Sequence, residues 1–179
     1  MIELLVVVAI IAILTTLAAP SFKGLIQSNA MSSTVNSFLA DMRYARSESI
    51  RRGGGVVLCR TDAPESANPT CGGGSGPGGN GWVSGWIVFH DLNNDGARNP
   101  GEPVLRAQAA ITKLDSIVEL SPVNRFRFAA TGRLTLSNAT TMQFGGGDFA
   151  NSRQRMVCVN VGGRARIAGD GTAPCSTDQ

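Results

Sequence analysis

The residues in this chain with the most specific chemistry are arginines. The run Val161-Gly162-Gly163-Arg164-Ala165-Arg166-Ile167 reads as a glycine turn entering a short strand. The two-residue period of a strand puts Arg164 and Arg166 on one face, about 6.5–7 Å apart. Guanidinium groups hold phosphate oxygens through paired hydrogen bonds. Two of them at this spacing match successive phosphates of a nucleic-acid strand and can grip the backbone without reading its bases. Exposed arginines on a hairpin also serve as solvation or edge protection, so the pattern by itself leaves both readings open. Arg153 and Arg155 are expected to share one strand face and to widen the patch. Arg125, Arg127 and Arg133 alternate with Phe126, Phe128 and Leu134 and read as strand-face charges. Arginine supplies 14 of the 16 basic residues; residues 1–120 carry 9 basic and 10 acidic side chains and residues 121–179 carry 7 and 3, so positive charge collects around the motif.

A second constellation is acidic. Asp91, Asn93, Asp95 and Glu102 occupy positions one, three, five and twelve of a twelve-residue calcium-loop pattern, with Gly96 at position six. The flanks are strand-like rather than helical, and aspartate and asparagine also build such turns without metal. Calcium and a plain hairpin turn are therefore two readings of the same loop, and calcium is the one cofactor the sequence raises. Catalysis has little to stand on: His90 is the single histidine, and no Gly-x-Ser-x-Gly elbow occurs. A formal Gly-x-Gly-x-x-Gly at Gly74, Gly76 and Gly79 is interrupted by Pro77 and precedes no helix, so it fails the dinucleotide context. An enzyme is not expected.

The elements that must carry these residues follow from periodicity. Ile2 to Ala19 is one apolar run broken by Glu3 and followed by Pro20, close to the 20 or so residues that cross a bilayer as a helix. A lone carboxylate in such a run is best tolerated when paired. No basic residue precedes the run, as a secretory signal would require, so it reads as a retained anchor. Helical spacing continues through Phe22, Leu25, Ile26, Val35, Phe38, Leu39 and Met42 and stops at Gly53-Gly54-Gly55. This predicts a helix of roughly 75 Å, bent near Pro20.

Nine strand-like segments follow, at 56–60, 86–89, 104–107, 117–120, 125–128, 133–136, 141–144, 156–160 and 164–167. The fold class is α+β, with residues 1–26 as the membrane or filament-core segment and 27–179 as one globular domain. The glycine-rich stretch at residues 72–81 is too poor in side chains to pack and reads as a flexible loop. The cysteines fall into two local pairs in a chain whose bulk lies outside the cytoplasm, and their spacing favours Cys59–Cys71 and Cys158–Cys175 disulfides. Zinc is the alternative, without the usual Cys-x-x-Cys spacing.

The segment Met1-Ile2-Glu3-Leu4-Leu5-Val6-Val7 resembles the mature N-terminus of type IV pilins and type II secretion pseudopilins. Pro20 stands at the family's offset for a helix-kinking proline. The Gly163-Arg164-Ala165-Arg166 motif between Cys158 and Cys175, with the Gly-Trp-x-x-Phe segment at Gly85 to Phe89, is similar to the FimT/GspH minor pilins, and most of all to FimT. The resemblance implies the type IV pilin fold, a long N-terminal helix packed on antiparallel sheets. It implies DNA contact by Arg164 and Arg166 in natural transformation, and filament assembly through Glu3 paired with the N-terminal amine of the next subunit. The partners implied are other minor and major pilins, the inner membrane before assembly, and a prepilin peptidase acting on the precursor. The location implied is a single-pass inner-membrane protein with its domain in the periplasm, then in the pilus. Aligned on Glu3, the chain starts two residues inside the mature protein, leaving the leader peptide and the methylated terminal residue outside it. The same features fit a minor pseudopilin at the tip of a type II secretion pseudopilus, or a structural minor pilin without affinity for DNA.

Overall fold

The computed structural model describes residues 1–121, 123–136, 138–147, 149–172 and 175, and only the backbone at 16–21 and 23. The helical periodicity becomes one helix, α1 (Ile2–Arg52), about 77 Å long at 1.5 Å per residue. It stops where glycine lets it: Gly53 takes a left-handed φ of 77°, and the Gly54 N–H returns to the Ser49 carbonyl at 2.7 Å. From Ile2 to Leu14 every side chain is exposed and all but Glu3 are apolar. Among the described residues no helix is long and apolar enough to cross a membrane. Pro20 and its expected kink lie outside the described side chains.

The strands are β1 (Val56–Arg60), β2 (Trp86–His90), β3 (Val104–Gln108), β4 (Ser116–Glu119), β5 (Arg125–Phe128), β6 (Thr140–Gly145), β7 (Arg155–Val159) and β8 (Ala165–Gly169). They form two four-stranded sheets, in the orders β3-β2-β1-β5 and β4-β6-β7-β8, with every pairing antiparallel. This is the expected α+β architecture. The expected strand at 133–136 does not form. Gly132, at φ 73°, turns the chain just after β5, and the backbone beyond it bonds in two directions. Arg133 O and Arg127 O accept from Ala129 N and Thr135 N at 2.8 and 3.0 Å, while Leu134 N donates to Val161 O at 2.9 Å. The segment is a strap from the first sheet to the end of the second.

The core lies between the sheets and the buried stripe Met31, Val35, Phe38, Met42 and Ala45 of α1, spaced as one apolar helix face requires. Phe38 is its centre. Its ring meets Trp82, Trp86, Phe126 and Phe144 edge-on, with centroids 5.5–6.2 Å apart, the arrangement the aromatic quadrupole favours. Each indole N–H is satisfied by a carboxylate: Trp86 donates to Asp41 at 2.8 Å and Trp82 to Glu119 at 3.0 Å. Burial pushes the Glu119 pKa up.

Part of the glycine-rich stretch is packed: Gly72, Gly73 and Gly76 lie against the fully buried Arg60, which donates to Asp62, to Ser84 Oγ at 3.3 Å and to the Gly73 carbonyl at 2.5 Å, while Gly74 and Gly79 stand clear. A Cβ on Gly72 would come within 2.5 Å of that guanidinium, so glycine is required there by proximity. Cys59–Cys71 closes this loop, and Cys158–Cys175 fastens residue 175 to β7.

Replacing Phe38 by alanine removes the ring that joins both sheets to the helix and is expected to cost about 3–5 kcal/mol. Chemical denaturation of the purified variant measures it. At the end of α1, Glu48 accepts from Arg51 at 3.0 Å and Arg52 at 2.7 Å. These bonds lower its pKa from 4.5 to about 2. A carboxylate depressed by folding stabilises fully above its unfolded pKa and ceases to do so as it protonates. The Glu48 contribution is therefore lost between pH 4.5 and 2, and Glu48→Gln is expected to flatten the fall in melting temperature across that window.

Candidate nucleic-acid interface

The hairpin of β7 and β8 has its tip fastened by backbone contacts, and its arginines have no protein acceptor among the described residues. Gly163 is buried at φ 75°, and a Cβ there would collide with the Gly132 carbonyl. Only glycine allows the tip to dock on the strap. Asn160 closes the turn: its carbonyl accepts from Gly163 N at 2.9 Å, its side-chain oxygen accepts from Arg164 N at 3.1 Å, and its own N–H donates to Arg164 O at 3.0 Å. Beyond the turn Ala165 pairs with Val159 and packs on the core, while Arg166 pairs with Cys158. Arg164 and Arg166 thus share the face opposite the core, both exposed. Among the described residues neither guanidinium has a protein acceptor. Between them and the Cys158–Cys175 bridge lies a cavity of about 280 Å³, also lined by Ala139 and Asn160.

The structure does not bring Arg153 and Arg155 into this patch. Arg153 ends a 3-10 turn (Asn151–Arg153) and donates to Gln27 of α1 at 3.1 Å, whereas Arg155 begins β7 and donates to the Ser152 and Gln154 carbonyls at 3.1 and 2.8 Å. They share no strand face, because the turn breaks the two-residue period. Arg125 and Arg127 do lie on one face of β5, but each is spent on the acidic loop, donating to the Gly96 and Asn94 carbonyls at 2.6 Å. Arg98 donates to the Glu102 carbonyl at 3.2 Å, and Arg106 pairs with Asp41 at 2.9 Å over the Tyr44 ring. His90 is half-buried, with Nδ1 3.5 Å from Arg52.

Glu3 sits exposed in the first turn of α1, among exposed Ile2, Leu4 and Leu5.

The acidic loop is closed by its own amides. Asp91 accepts from Gly96 N at 2.8 Å, Glu102 accepts from Leu92 N and Asn99 N at 2.8 Å, and Asp95 accepts from Ala97 N at 2.7 Å. Asn93 turns its side-chain oxygen to Asp95 N at 3.2 Å. Among the described residues no group of three His, Cys, Asp or Glu could hold a metal ion. These bonds close the turn, and the buried Asp91 Oδ1 has no partner among the described residues. Thermal melts in millimolar calcium are expected to match those in chelator; a calcium-dependent rise in melting temperature would assign the loop to the metal instead.

Residues 34–163 match the family model described as Type II transport protein GspH. No curated protein matches. Two solved structures do, both of the type IV minor pilin FimU of Pseudomonas aeruginosa strain PAO1. The crystal form in space group P21 is 18% identical, with a TM-score of 0.60 over 83% of this chain and 96% of that one. The P65 form is 19% identical, with a TM-score of 0.57 over 82% and 98%. The long helix clasping two antiparallel sheets is thus a fold shared with a type IV minor pilin, and the sequence match spans α1 from its buried face through to the glycine of the hairpin tip. The chain belongs to the GspH family, whose members are minor pilins and pseudopilins.

Proposed function

We propose that this chain is a minor pilin of a type IV pilus that binds DNA through the β7–β8 hairpin during DNA uptake. The observation that carries the reading is the tip itself: two same-face guanidiniums, exposed and without acceptors, on a turn held by Asn160, Gly163 and the strap rather than by the arginines. Arg51, Arg52 and Arg106, by contrast, are held in ion pairs. Spacing near 6.5–7 Å suits a phosphodiester backbone, and no aromatic side chain lines the tip cavity to stack a base. Binding is therefore backbone-directed, sequence-tolerant and weak per copy, and several copies in a filament would raise it by avidity. In this reading the apolar N-terminal run anchors the protein in the inner membrane, with its domain in the periplasm, until Glu3 and the helix pass into a filament of other pilins.

A second reading is favoured by the family's own description: a minor pseudopilin of a type II secretion system, without affinity for DNA. The two differ in one measurement. The full chain in neutral detergent is titrated into a fluorescent duplex at about 50 mM salt, beside the Arg164→Gln/Arg166→Gln variant. The pilin reading expects binding by the parent and a loss of about tenfold or more in the variant, with unchanged melting temperature because both side chains are exposed. No binding by the parent leaves the secretion pseudopilin standing, and equal binding by the variant overturns the hairpin as the DNA site.

A further inference from the structure

Nine of the fourteen arginines donate to protein acceptors: Arg51 and Arg52 to Glu48, Arg60 to Asp62, Arg106 to Asp41, Arg98, Arg125 and Arg127 to the 91–102 loop, Arg153 to Gln27 and Arg155 to its own turn. Among the described residues, five guanidiniums have no acceptor: those of Arg43, Arg46, Arg133, Arg164 and Arg166. These five are not scattered. The Gly163 of the tip rests on the Gly132 carbonyl, so Arg164 and Arg133, the next residue on each side of that contact, flank it directly. Gly132 is also packed by α1: Arg46 Cγ and Nε lie 3.0 Å from where a Cβ on Gly132 would sit, beside Ile50 Cδ1 at 2.9 Å. Arg43 is three residues before Arg46 on the helix, and side chains at that spacing are neighbours about 5–6 Å apart.

We infer that Arg46 and Arg133, with Arg43 one turn further along α1, extend the hairpin pair into a single anion track that crosses from the outer face of β8, over the strap, to the flank of the helix. The track takes a phosphodiester backbone. Neighbouring guanidiniums without a protein acceptor repel one another, so the arrangement is uncompensated until an anion of matching linear charge lies along it. The anion is a polymer rather than a single phosphate, because the five groups come from separate elements and only Arg164 and Arg166 line the tip cavity. An anionic lipid surface is the poorer fit: Arg46 lies about 40 Å along α1 from Ala19, where the apolar run ends.

The inference rests on the DNA-binding reading, and the test separates the two. The full chain in neutral detergent is titrated into a duplex across a range of salt, beside Arg46→Gln/Arg133→Gln with the hairpin arginines intact. Five phosphate contacts give a slope of log K against log salt near −4.5, and the hairpin pair alone gives about −1.8, at roughly −0.9 per neutralised phosphate. The double variant is expected to bind more weakly and to lose about 2 from the slope, while Arg51→Gln, which removes a paired guanidinium, leaves it unchanged. Arg46 also packs on Gly132, so the exposed Arg133→Gln alone, expected to lose about 1, decides the matter if the double variant melts early. A parental slope near −1.8, unaltered by these substitutions, overturns the track but leaves the hairpin reading in place. A parent that binds no duplex at low salt overturns both. Displacement of the duplex by phosphatidylglycerol bicelles at equal phosphate concentration reassigns the patch to lipid and also overturns the proposal.

Discussion

The geometry of this protein depends on Phe38. Among the described residues the two sheets share no ladder hydrogen bonds, and what joins them is a helix residue whose ring is in edge contact with aromatics of both, Trp86 and Phe126 from one and Phe144 from the other. Aromatic rings have few rotamers and a preferred contact angle. A cluster of them therefore specifies orientation as well as supplying buried area. The strap at residues 129–135 reaches the β7–β8 tip because that orientation brings Leu134 within hydrogen-bond distance of Val161. The exposed end of the molecule is positioned by a fully buried residue.

Charge is distributed by a related logic. Carboxylates inside the fold are occupied by donors: Asp41 by the Trp86 indole and Arg106, Glu119 by the Trp82 indole, Glu48 by two arginines of its own helix end. Arg60 is buried with loop carbonyl and side-chain acceptors arranged around it, and the glycines of the loop let the backbone come that close. Pairing inside limits the desolvation cost of buried charge. The cations left without acceptors among the described residues stand at the surface, where they contribute to the long-range field.

Much of this was legible in the residues. The alternation in β8 placed Arg164 and Arg166 on one face, the helical spacing gave the buried stripe of α1, and both cysteine pairings follow from local spacing in an oxidised compartment. What was not legible depended on partners distant in sequence. Residues 133–136 have strand composition, but their hydrogen bonds go to two different elements, which no local pattern records. The glycine-rich loop looked unpackable because its packing partner is the guanidinium of Arg60, and nothing in a sequence marks an arginine for burial. Arg153 and Arg155 carry the spacing of a strand face, yet a single 3-10 turn between them and the ladder redirects both. Arg46 and Arg133 are 87 residues apart, and only the contact at Gly132 brings them together.

The tip has one more consequence. Its shape is set by Asn160, Gly163 and Gly132, through main-chain bonds and one close backbone approach, whereas the side chains at 164 and 166 contribute nothing to that shape. Scaffold and chemistry are separable at this place. Lysine, glutamine or an aromatic could stand at either position on an unchanged turn, so that relatives of this protein, or a deliberately altered version of it, can trade one surface ligand for another by changing two residues while the fold beneath is inherited intact.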